Sequence, residues 1–358
     1  MMKTTAIRSR PVLVPLEFPI RTASGTVSAS PLVLIDLFTD AGIIGHAYIF
    51  GYTPLTLQPL VALLDNLAGT IIGQSVAPRA LEECLRRSFR LLGYTGLLRM
   101  ALAGIEMAAW DAFAKEQRMP LVRLIGGEPR PIQAYDSHSM DGEALAVERA
   151  VRSAKAGFRG IKTKIGYASF AEELAVIRAI RSAVGPQFEI MVDYNQALSV
   201  PEAITRGRAL AEEGITWIEE PTLQHDYEGH GQITRALTTS VQMGENWFGP
   251  EEMMLSVKAG ASNLAMVDVM KIGGVCGWMK ASAIAEQHGL PLSSHLFQEI
   301  SVHLLAASPT AHRLEHMDIA GPVLLQGMTI QDGFALASEE PGTGVAWQED
   351  AVAQFLIA

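Results

Sequence analysis

Cysteine is scarce in this sequence. Two of the 358 residues, Cys84 and Cys276, are cysteines, and they lie far apart without a CxxC spacing. This composition excludes a disulfide framework and a zinc knuckle, and it is typical of a protein that stays reduced in the cytoplasm.

Positive charge and long apolar runs are also lacking. The formal net charge is −10, which argues against a surface that binds nucleic-acid phosphates. No apolar run approaches the roughly 20 residues that cross a membrane, and Pro11, Pro15 and Glu17 interrupt the N-terminal segment where a signal peptide is continuous. We therefore expect a soluble cytoplasmic protein with a small-molecule ligand and no nucleic-acid or membrane partner.

Common nucleotide, hydrolase and zinc motifs are absent. The sequence has no P-loop and no GxSxG, and its GGVCG segment lacks the glycine order of a dinucleotide site. His225 and His230 are five residues apart, which is not a zinc-binding spacing, so we interpret them as loop residues.

The distribution of apolar residues predicts three regions. Residues 1–128 combine strand-like runs such as PVLVPLEF with three helical patterns, which predicts an α+β capping domain. Residues 129–318 alternate eight strand-like runs with helical stretches, which predicts a (β/α)7β TIM-like barrel. Residues 319–358 are rich in strands and turns, and we expect them to return to the cap. A doubly wound open sheet is the alternative for the middle region.

Ionisable residues recur at the carboxyl ends of the predicted strands. Steps of 20 to 29 residues, close to one βα unit, separate Lys164, Asp193, Glu219, Glu245, Asp268, His295 and Glu315. In a closed barrel these side chains converge on the C-terminal face, where barrel enzymes carry their chemistry. An open sheet would spread them along a line.

Three of these residues form a predicted metal site. Asp193, Glu219 and Glu245 would repel one another strongly if they clustered without a cation. Ligands that are all oxygens favour Mg²⁺, with Mn²⁺ as the alternative, over zinc. The pattern does not decide between Glu219 and Glu220, although the regular 26-residue step favours Glu219.

Candidate bases flank this metal site. Lys162 and Lys164 are two residues apart in GIKTKIGY, and side chains two apart in a strand share a face. His295 and Asp268 follow adjacent predicted strands, so the carboxylate can fix the imidazole tautomer. A substrate bound to the metal would meet a base on each side. Lys271 lies three residues beyond Asp268, and we interpret it as structural.

These residues stand in long segments that resemble the enolase superfamily, and within it the mandelate racemase branch. The matching segments cover nearly the whole chain: ALAGIEMAAWDAFAKEQRMPLVRLIGG, KTKIGY, VDYNQ, WIEEPTLQHDYEGH, QMGENW, DVMKIGG and SSHLFQEIS. Position 268 distinguishes branches, because the muconate-lactonising and dipeptide-epimerase branch resembles KxMKxGG, with lysine where this chain has Asp268. The resemblance implies a homo-octameric isomerase.

The resemblance also implies a role for each candidate residue. Lys164 resembles the base for the S enantiomer, and His295, held by Asp268, the base for the R enantiomer. Metal ligation is implied for Asp193, Glu219 and Glu245. Catalytic roles are also implied for three further residues. Lys162 contacts the substrate carboxylate and lowers the pKa of Lys164, Glu315 is a protonated acid that hydrogen-bonds the developing enediolate, and Asn195 bonds the substrate hydroxyl. Ser137 is implied to bind the substrate carboxylate.

An apolar pocket over an aryl ring is implied by Ile20, Val27, Phe50, Tyr52 and Leu296. Ile20 and Ser24 differ from the pattern and bear on substrate preference, whereas a purely structural interpretation is that these residues pack the domain interface. The implied reaction interconverts (R)- and (S)-mandelate by proton transfer between two bases. The alternative is an acid-sugar dehydratase with the same enolate chemistry, which the apolar pocket disfavours because a sugar needs hydrogen-bonding partners.

Overall fold

The structure is a computed structural model that describes residues 2–23 and 25–357. Ser24, which bears on substrate preference in the sequence, lies outside the described residues. Among the helices in the described part of the chain, none is long and apolar enough to span a membrane.

The N-terminal region is an antiparallel sheet covered by helices. Its strands, in the order β1-β2-β3, are β1 (Thr4–Thr22), β2 (Gly25–Thr39) and β3 (Ile44–Phe50). Its helices are α1 (Leu57–Ile71), α2 (Pro78–Ser88), α3 (Gly96–Glu116) and the short α4 (Leu121–Leu124). Gly45 of β3 lets α3 pack closely on this strand, because a Cβ at that position would collide with the carbonyl oxygen of Ala108.

The middle region alternates strands and helices. The strands are β4 (Ile132–Ser137), β5 (Gly160–Lys164), β6 (Glu189–Asp193), β7 (Trp217–Glu219), β8 (Ser240–Met243), β9 (Leu264–Asp268), β10 (Leu292–His295) and β11 (Leu314–His316). The intervening helices are α5 (Gly142–Lys155), α6 (Phe170–Val184), α7 (Val200–Glu212), α8 (Tyr227–Ala236), α9 (Pro250–Ala259), the one-turn α10 (Val269–Ile272), α11 (Gly274–His288) and α12 (Gln298–Ala306).

These eight strands close into a barrel. Strands β4 to β10 pair in parallel in chain order, and β11 pairs in parallel with β4. Backbone hydrogen bonds from Ser294 N to Arg313 O (3.1 Å) and from His312 N to Leu292 O (2.8 Å) complete the circle between β10 and β11. The predicted (β/α)7β barrel is confirmed, and the open-sheet alternative is wrong.

Strand register brings the ionisable residues together. Lys164 pairs with Asp193, Asp193 with Glu219, and His295 with Asp268, each at the carboxyl end of its strand. Parallel pairing keeps these ends level, so the side chains meet at one mouth of the barrel.

The C-terminal segment crosses from the barrel back to the cap, as the sequence predicts. It contains β12 (Ile330–Gln331), β13 (Phe334–Ala335) and α13 (Glu349–Phe355), and β13 pairs antiparallel with β4. On the cap, Ile357 N donates to Pro11 O (3.0 Å) and Trp347 Nε1 donates to Asp36 Oδ1 (2.6 Å). The boundaries at 128/129 and 318/319 stay predictions.

Asp36 joins the C-terminal segment to the cap sheet. Its side chain is fully buried and accepts hydrogen bonds from Arg8, His46 and Trp347. Burial alone would raise the pKa of Asp36, but hydrogen bonds from His46, Trp347 and Arg8 outweigh it and lower the pKa to about 2.

Because the pKa of Asp36 in the fold lies below the ordinary value of 3.8, ionised Asp36 stabilises the protein above that value, and the stabilisation is lost as the pH falls towards 2. We expect the difference in unfolding free energy between wild type and Asp36→Asn to shrink by about 1 kcal/mol from about pH 6 to pH 3. Urea denaturation at each pH measures this difference. A difference independent of pH over that range would contradict the expectation.

Candidate active site

Three carboxylates cluster at the mouth of the barrel. Asp193 and Glu219 end β6 and β7, and Glu245 follows β8 by two residues. One oxygen from each lies within 4.8 Å of the others, and all three residues are buried. Among the described residues, no other trio of His, Cys, Asp or Glu side chains comes this close. Glu220 is not a member of this cluster and instead accepts hydrogen bonds from Asn246 Nδ2 (2.8 and 3.0 Å).

The cluster fits a hard divalent cation. Burial, opposed by Lys162 and reinforced by the neighbouring carboxylates, raises the pKa of Glu219 to about 7. This crowding of negative charge is the condition that a cation relieves. Glu245 Oε2 and Asn195 Oδ1 are buried without a hydrogen-bond partner among the described residues, as expected of oxygens that face a ligand. Oxygen donors of this kind suit Mg²⁺ or Mn²⁺.

Both lysines of β5 point into the barrel. Lys162 contacts Glu219 and lies 2.7 Å from Glu315 Oε1, and Lys164 Nζ donates to Asp193 Oδ2 (2.6 Å). Lys164 lines the open cavity at the barrel mouth, whereas Lys162 is 1% exposed and does not. Glu219 and Glu315 contact the ammonium group of Lys162, and the expected contact between Lys162 and a substrate carboxylate stays a prediction.

The pKa values of both lysines are raised above their ordinary value. Burial lowers the pKa of Lys164, but Asp193 outweighs burial and the repulsion from Lys162, so the pKa is raised. Burial also lowers the pKa of Lys162, but the negative charges of Glu219 and Glu315 outweigh burial. The pKa of Lys162 is therefore raised well above its ordinary value. The lowered pKa expected at Lys164 depends on a nearby cation as well as on Lys162, so it stays a prediction for the metal-bound site.

Contacts in the barrel lower the pKa of Glu315 and favour its ionised form. Burial raises its pKa, but Lys162 and His295 outweigh burial and lower the pKa to about 2. Its Oε2 accepts a hydrogen bond from Leu296 N (3.0 Å). The ammonium group of Lys162 contacts the other oxygen of Glu315. The expectation of a protonated acid at Glu315 stays a prediction for the site with metal and substrate bound.

His295 faces the cluster from the far side of the barrel mouth. Its Nδ1 donates to Asp268 Oδ2 (2.8 Å), which leaves Nε2 as the basic nitrogen, 3.5 Å from Glu245 Oε2. Asp268 is itself held by the backbone N–H groups of Met270 and Lys271, which open α10. Burial lowers the pKa of His295, but Glu245 and the hydrogen bond to Asp268 outweigh it, so the pKa is raised.

A cavity of about 420 Å³ lies above these groups. Lys164 and His295 line it together with Glu245, Glu315 and Asn195. The predicted pocket residues all line it as well: Ile20, Val27, Phe50, Tyr52 and Leu296. Cap and barrel therefore build one cavity, with ionisable groups from the barrel and mainly apolar cover from the cap.

Asn195 and Ser137 line different cavities. Asn195 donates through Nδ2 to Asp193 Oδ2 (2.9 Å) and keeps Oδ1 without a partner beside the cavity. Ser137 lines an adjoining cavity of about 490 Å³ instead. Ile20 and Met317 line both cavities and form the wall that they share. The Ser137 hydroxyl is buried without a hydrogen-bond partner among the described residues, and its expected contact with the substrate carboxylate stays a prediction.

Several residues that line the cavity were not predicted from the sequence patterns. Gln196, Asn246 and Met317 line the cavity; Met317 follows Glu315 by two, so strand alternation could have indicated it. Lys271, interpreted as structural, donates from Nζ to Asn246 Oδ1 (2.6 Å) and lies 4.2 Å from the centre of the Tyr52 ring. The strand-face argument fails there because α10 begins directly after Asp268.

Family models match both parts of the chain. Residues 4–126 match the mandelate racemase/muconate lactonizing enzyme N-terminal domain, and residues 145–351 match the enolase C-terminal domain-like family. The chain belongs to the mandelate racemase/muconate lactonizing enzyme family of the enolase superfamily. It is thus an enzyme of this superfamily.

Individual family members differ in activity. The chain is 32% identical over 302 residues to L-talarate/galactarate dehydratase of Salmonella typhimurium, covering 82% of this chain and 75% of that protein. It is 29% identical to D-galactarolactone cycloisomerase of Agrobacterium fabrum, covering 99% of each. The crystal structure of an enolase from Bradyrhizobium with magnesium and mandelic acid is 40% identical, with a TM-score of 0.95, and covers 100% of this chain and 99% of that one.

We expect Mg²⁺ to raise the thermal unfolding midpoint of the wild-type protein, because a ligand at 100 times its Kd stabilises by about 2.7 kcal/mol. Glu219→Gln removes one charged oxygen donor of the cluster and should abolish most of this Mg²⁺-dependent shift. Differential scanning fluorimetry with and without MgCl₂ measures it.

Glu220→Gln is the matched control, because it changes the adjacent buried carboxylate that bonds Asn246 rather than the cluster. It should keep the Mg²⁺-dependent shift. Equal shifts in wild type and Glu219→Gln would argue against a metal site at these residues.

Proposed function

We propose that this enzyme is a divalent-metal-dependent racemase that interconverts the enantiomers of mandelate or of a closely related aryl 2-hydroxy acid. The observation that carries the proposal is that Lys164 and His295, from β5 and β10, line one cavity from different sides of a carboxylate cluster. Two bases that reach one carbon from opposite faces invert its configuration when one removes a proton and the other returns one.

Each base has its own partner. His295 Nδ1 is bound to Asp268, so Nε2 accepts the α-proton of the R enantiomer and gives a proton back in the reverse direction. Lys164 Nζ contacts Asp193 and serves the S enantiomer. Because the partners are separate, a substitution at one base need not remove the chemistry of the other.

Asp193, Glu219 and Glu245 would hold the metal. A bound divalent cation would supply positive charge that offsets Asp193 beside Lys164 and stabilises the second negative charge that forms when a substrate carboxylate loses its α-proton. Asn195 Oδ1 is available to accept a hydrogen bond from the substrate hydroxyl. Lys162 balances the buried charges of Glu219 and Glu315 without touching the cavity.

The cavity cover supports an aryl group. Phe50 and Tyr52 lie 4.6 Å apart between ring centres, and Ile20, Val27 and Leu296 extend the apolar surface. A phenyl ring gains from such burial, whereas each sugar hydroxyl would lose hydrogen bonds to water. The 40% identical structure with bound mandelic acid agrees with this substrate class.

An acid-sugar dehydratase is the second candidate. The 32% identity to L-talarate/galactarate dehydratase favours it. Gln196, Asn246 and Thr26 also give one part of the cavity hydrogen-bonding capacity. The same bases and metal would then remove the α-proton of a sugar acid with loss of a β-hydroxyl. A cytoplasmic location and a homo-octameric assembly stay predictions.

With Mg²⁺ in D₂O, wild-type enzyme should exchange the α-proton of both mandelate enantiomers and abolish optical rotation. His295→Asn should still exchange (S)-mandelate through Lys164 but lose exchange of (R)-mandelate by about 100-fold or more, the scale of a removed acid–base group. Lys164→Met should show the opposite selectivity. NMR of the α-proton measures both, and equal loss of the two enantiomers in either variant would contradict a two-base mechanism.

The substrate class is tested by a screen of sugar acids for 2-keto products, run beside the mandelate assay with the same enzyme and Mg²⁺. We expect α-exchange of aryl 2-hydroxy acids and no 2-keto product from galactarate or talarate. Turnover of either sugar acid, with mandelate inert, would assign the enzyme to the dehydratases instead.

A further inference from the structure

The chain directly after His295 has an uncommon backbone conformation. Leu296 (φ 48°) and Phe297 (φ 47°) both occupy the left-handed region, although neither is glycine. Such residues are strained and persist where surrounding contacts enforce them. This turn connects His295, the candidate base, to α12, and it contains Leu296, which lines the cavity. Contacts that hold the turn therefore bear on the placement of both His295 and Leu296.

The barrel supplies part of the restraint. Leu296 N donates to Glu315 Oε2 (3.0 Å), and Ser301 Oγ donates to Leu296 O (3.1 Å). Within α12, Ser301 N donates to Phe297 O (2.8 Å). These contacts hold the backbone of the turn but leave the Phe297 ring to be held by the cap.

The cap holds that ring through Tyr48 on β3. The Tyr48 ring stacks on Phe297 with centres 5.0 Å apart and planes at 28°. The Tyr48 hydroxyl donates to Glu299 Oε2 (2.7 Å) in the first turn of α12, and all three side chains are buried. A hydrogen bond to a carboxylate in a buried setting is stronger than one between neutral groups.

Tyr48 also belongs to the strand that covers the substrate. Phe50, two residues further along β3, and Tyr52 line the catalytic cavity, but Tyr48 does not. The same cap strand therefore contacts the cavity at one end and the turn after His295 at the other. Lys164, in contrast, is held by Asp193 within the barrel.

We infer that Tyr48 and Glu299 form a positioning pair through which the cap sets the placement of His295 and Leu296, and so controls proton transfer on the R side of the site. This inference rests on the proposed racemase function. Neither residue touches the reacting atoms, and the pair acts through the Leu296–Phe297 turn.

The test is Tyr48→Phe, which keeps the ring stacking and removes the hydroxyl bound to Glu299. We expect α-exchange of (R)-mandelate to fall about 10- to 100-fold, the scale of a small misplacement of a catalytic group. Exchange of (S)-mandelate through Lys164 should stay within about threefold, a change too small to reflect lost positioning. Glu299→Gln keeps an acceptor oxygen and should retain a near wild-type ratio, whereas Glu299→Ala should behave like Tyr48→Phe.

Tyr194→Phe is the matched control. Tyr194 also donates its hydroxyl to a buried glutamate, Glu173, at 2.7 Å, but on the outside of the barrel. It should leave the ratio of (R) to (S) exchange unchanged, even if it lowers stability as much as Tyr48→Phe. Equal loss of both enantiomers in Tyr48→Phe, or an altered ratio in Tyr194→Phe, would overturn the inference.

A second measurement separates this inference from the proposed function. If wild-type enzyme exchanges neither enantiomer, the racemase proposal fails, and amide hydrogen–deuterium exchange of the peptide spanning residues 292–306 tests the positioning pair alone. Tyr48→Phe should lower protection of the amides around 296–301, and Tyr194→Phe should not. Unchanged protection in Tyr48→Phe would refute the pair.

Discussion

Mutual repulsion of buried carboxylates is the constraint on which this structure depends. Asp193, Glu219 and Glu245 converge within 4.8 Å in a buried site, where like charges interact far more strongly than in water. Lys162 and Lys164 contact the cluster and offset part of its charge. The remaining negative charge fits a divalent cation, so an arrangement that costs stability also suits the site to metal-dependent chemistry.

Neither domain can build this site alone. The barrel supplies level strand ends and therefore the carboxylates, the lysines and His295. The cap supplies most of the apolar cover, and its strand β3 also contacts the turn after His295. The C-terminal segment fastens the two together through β13 on the barrel and Trp347 on Asp36. Substrate preference can thus change in the cap while the chemistry of the barrel persists.

Regular spacing made much of this structure predictable from the sequence. Residues at strand ends recur once per βα unit, so Asp193, Glu219, Asp268 and His295 could be brought together from periodicity. Properties that depend on distances between side chains could not be predicted in this way. The lowered pKa of Glu315 follows from its contact with Lys162, and the raised pKa of Lys164 follows from its contact with Asp193. The placement of Ser137 beside the adjoining cavity also depends on how side chains pack. The contacts of Lys271 with Asn246 and Tyr52 could not be predicted either, because a helical turn follows the strand at that point.

The central claim is that one metal site lies between two bases that face opposite sides of the substrate carbon. A crystal structure with Mn²⁺ and 2-hydroxy-2-phenylpropanoate, which has no α-proton to lose, tests it most directly. The account predicts an anomalous peak for Mn²⁺ between the carboxylates of Asp193, Glu219 and Glu245. It also predicts that the α-carbon of the ligand lies between Lys164 Nζ and His295 Nε2. A metal bound elsewhere, or both bases on the same face of the α-carbon, would contradict it.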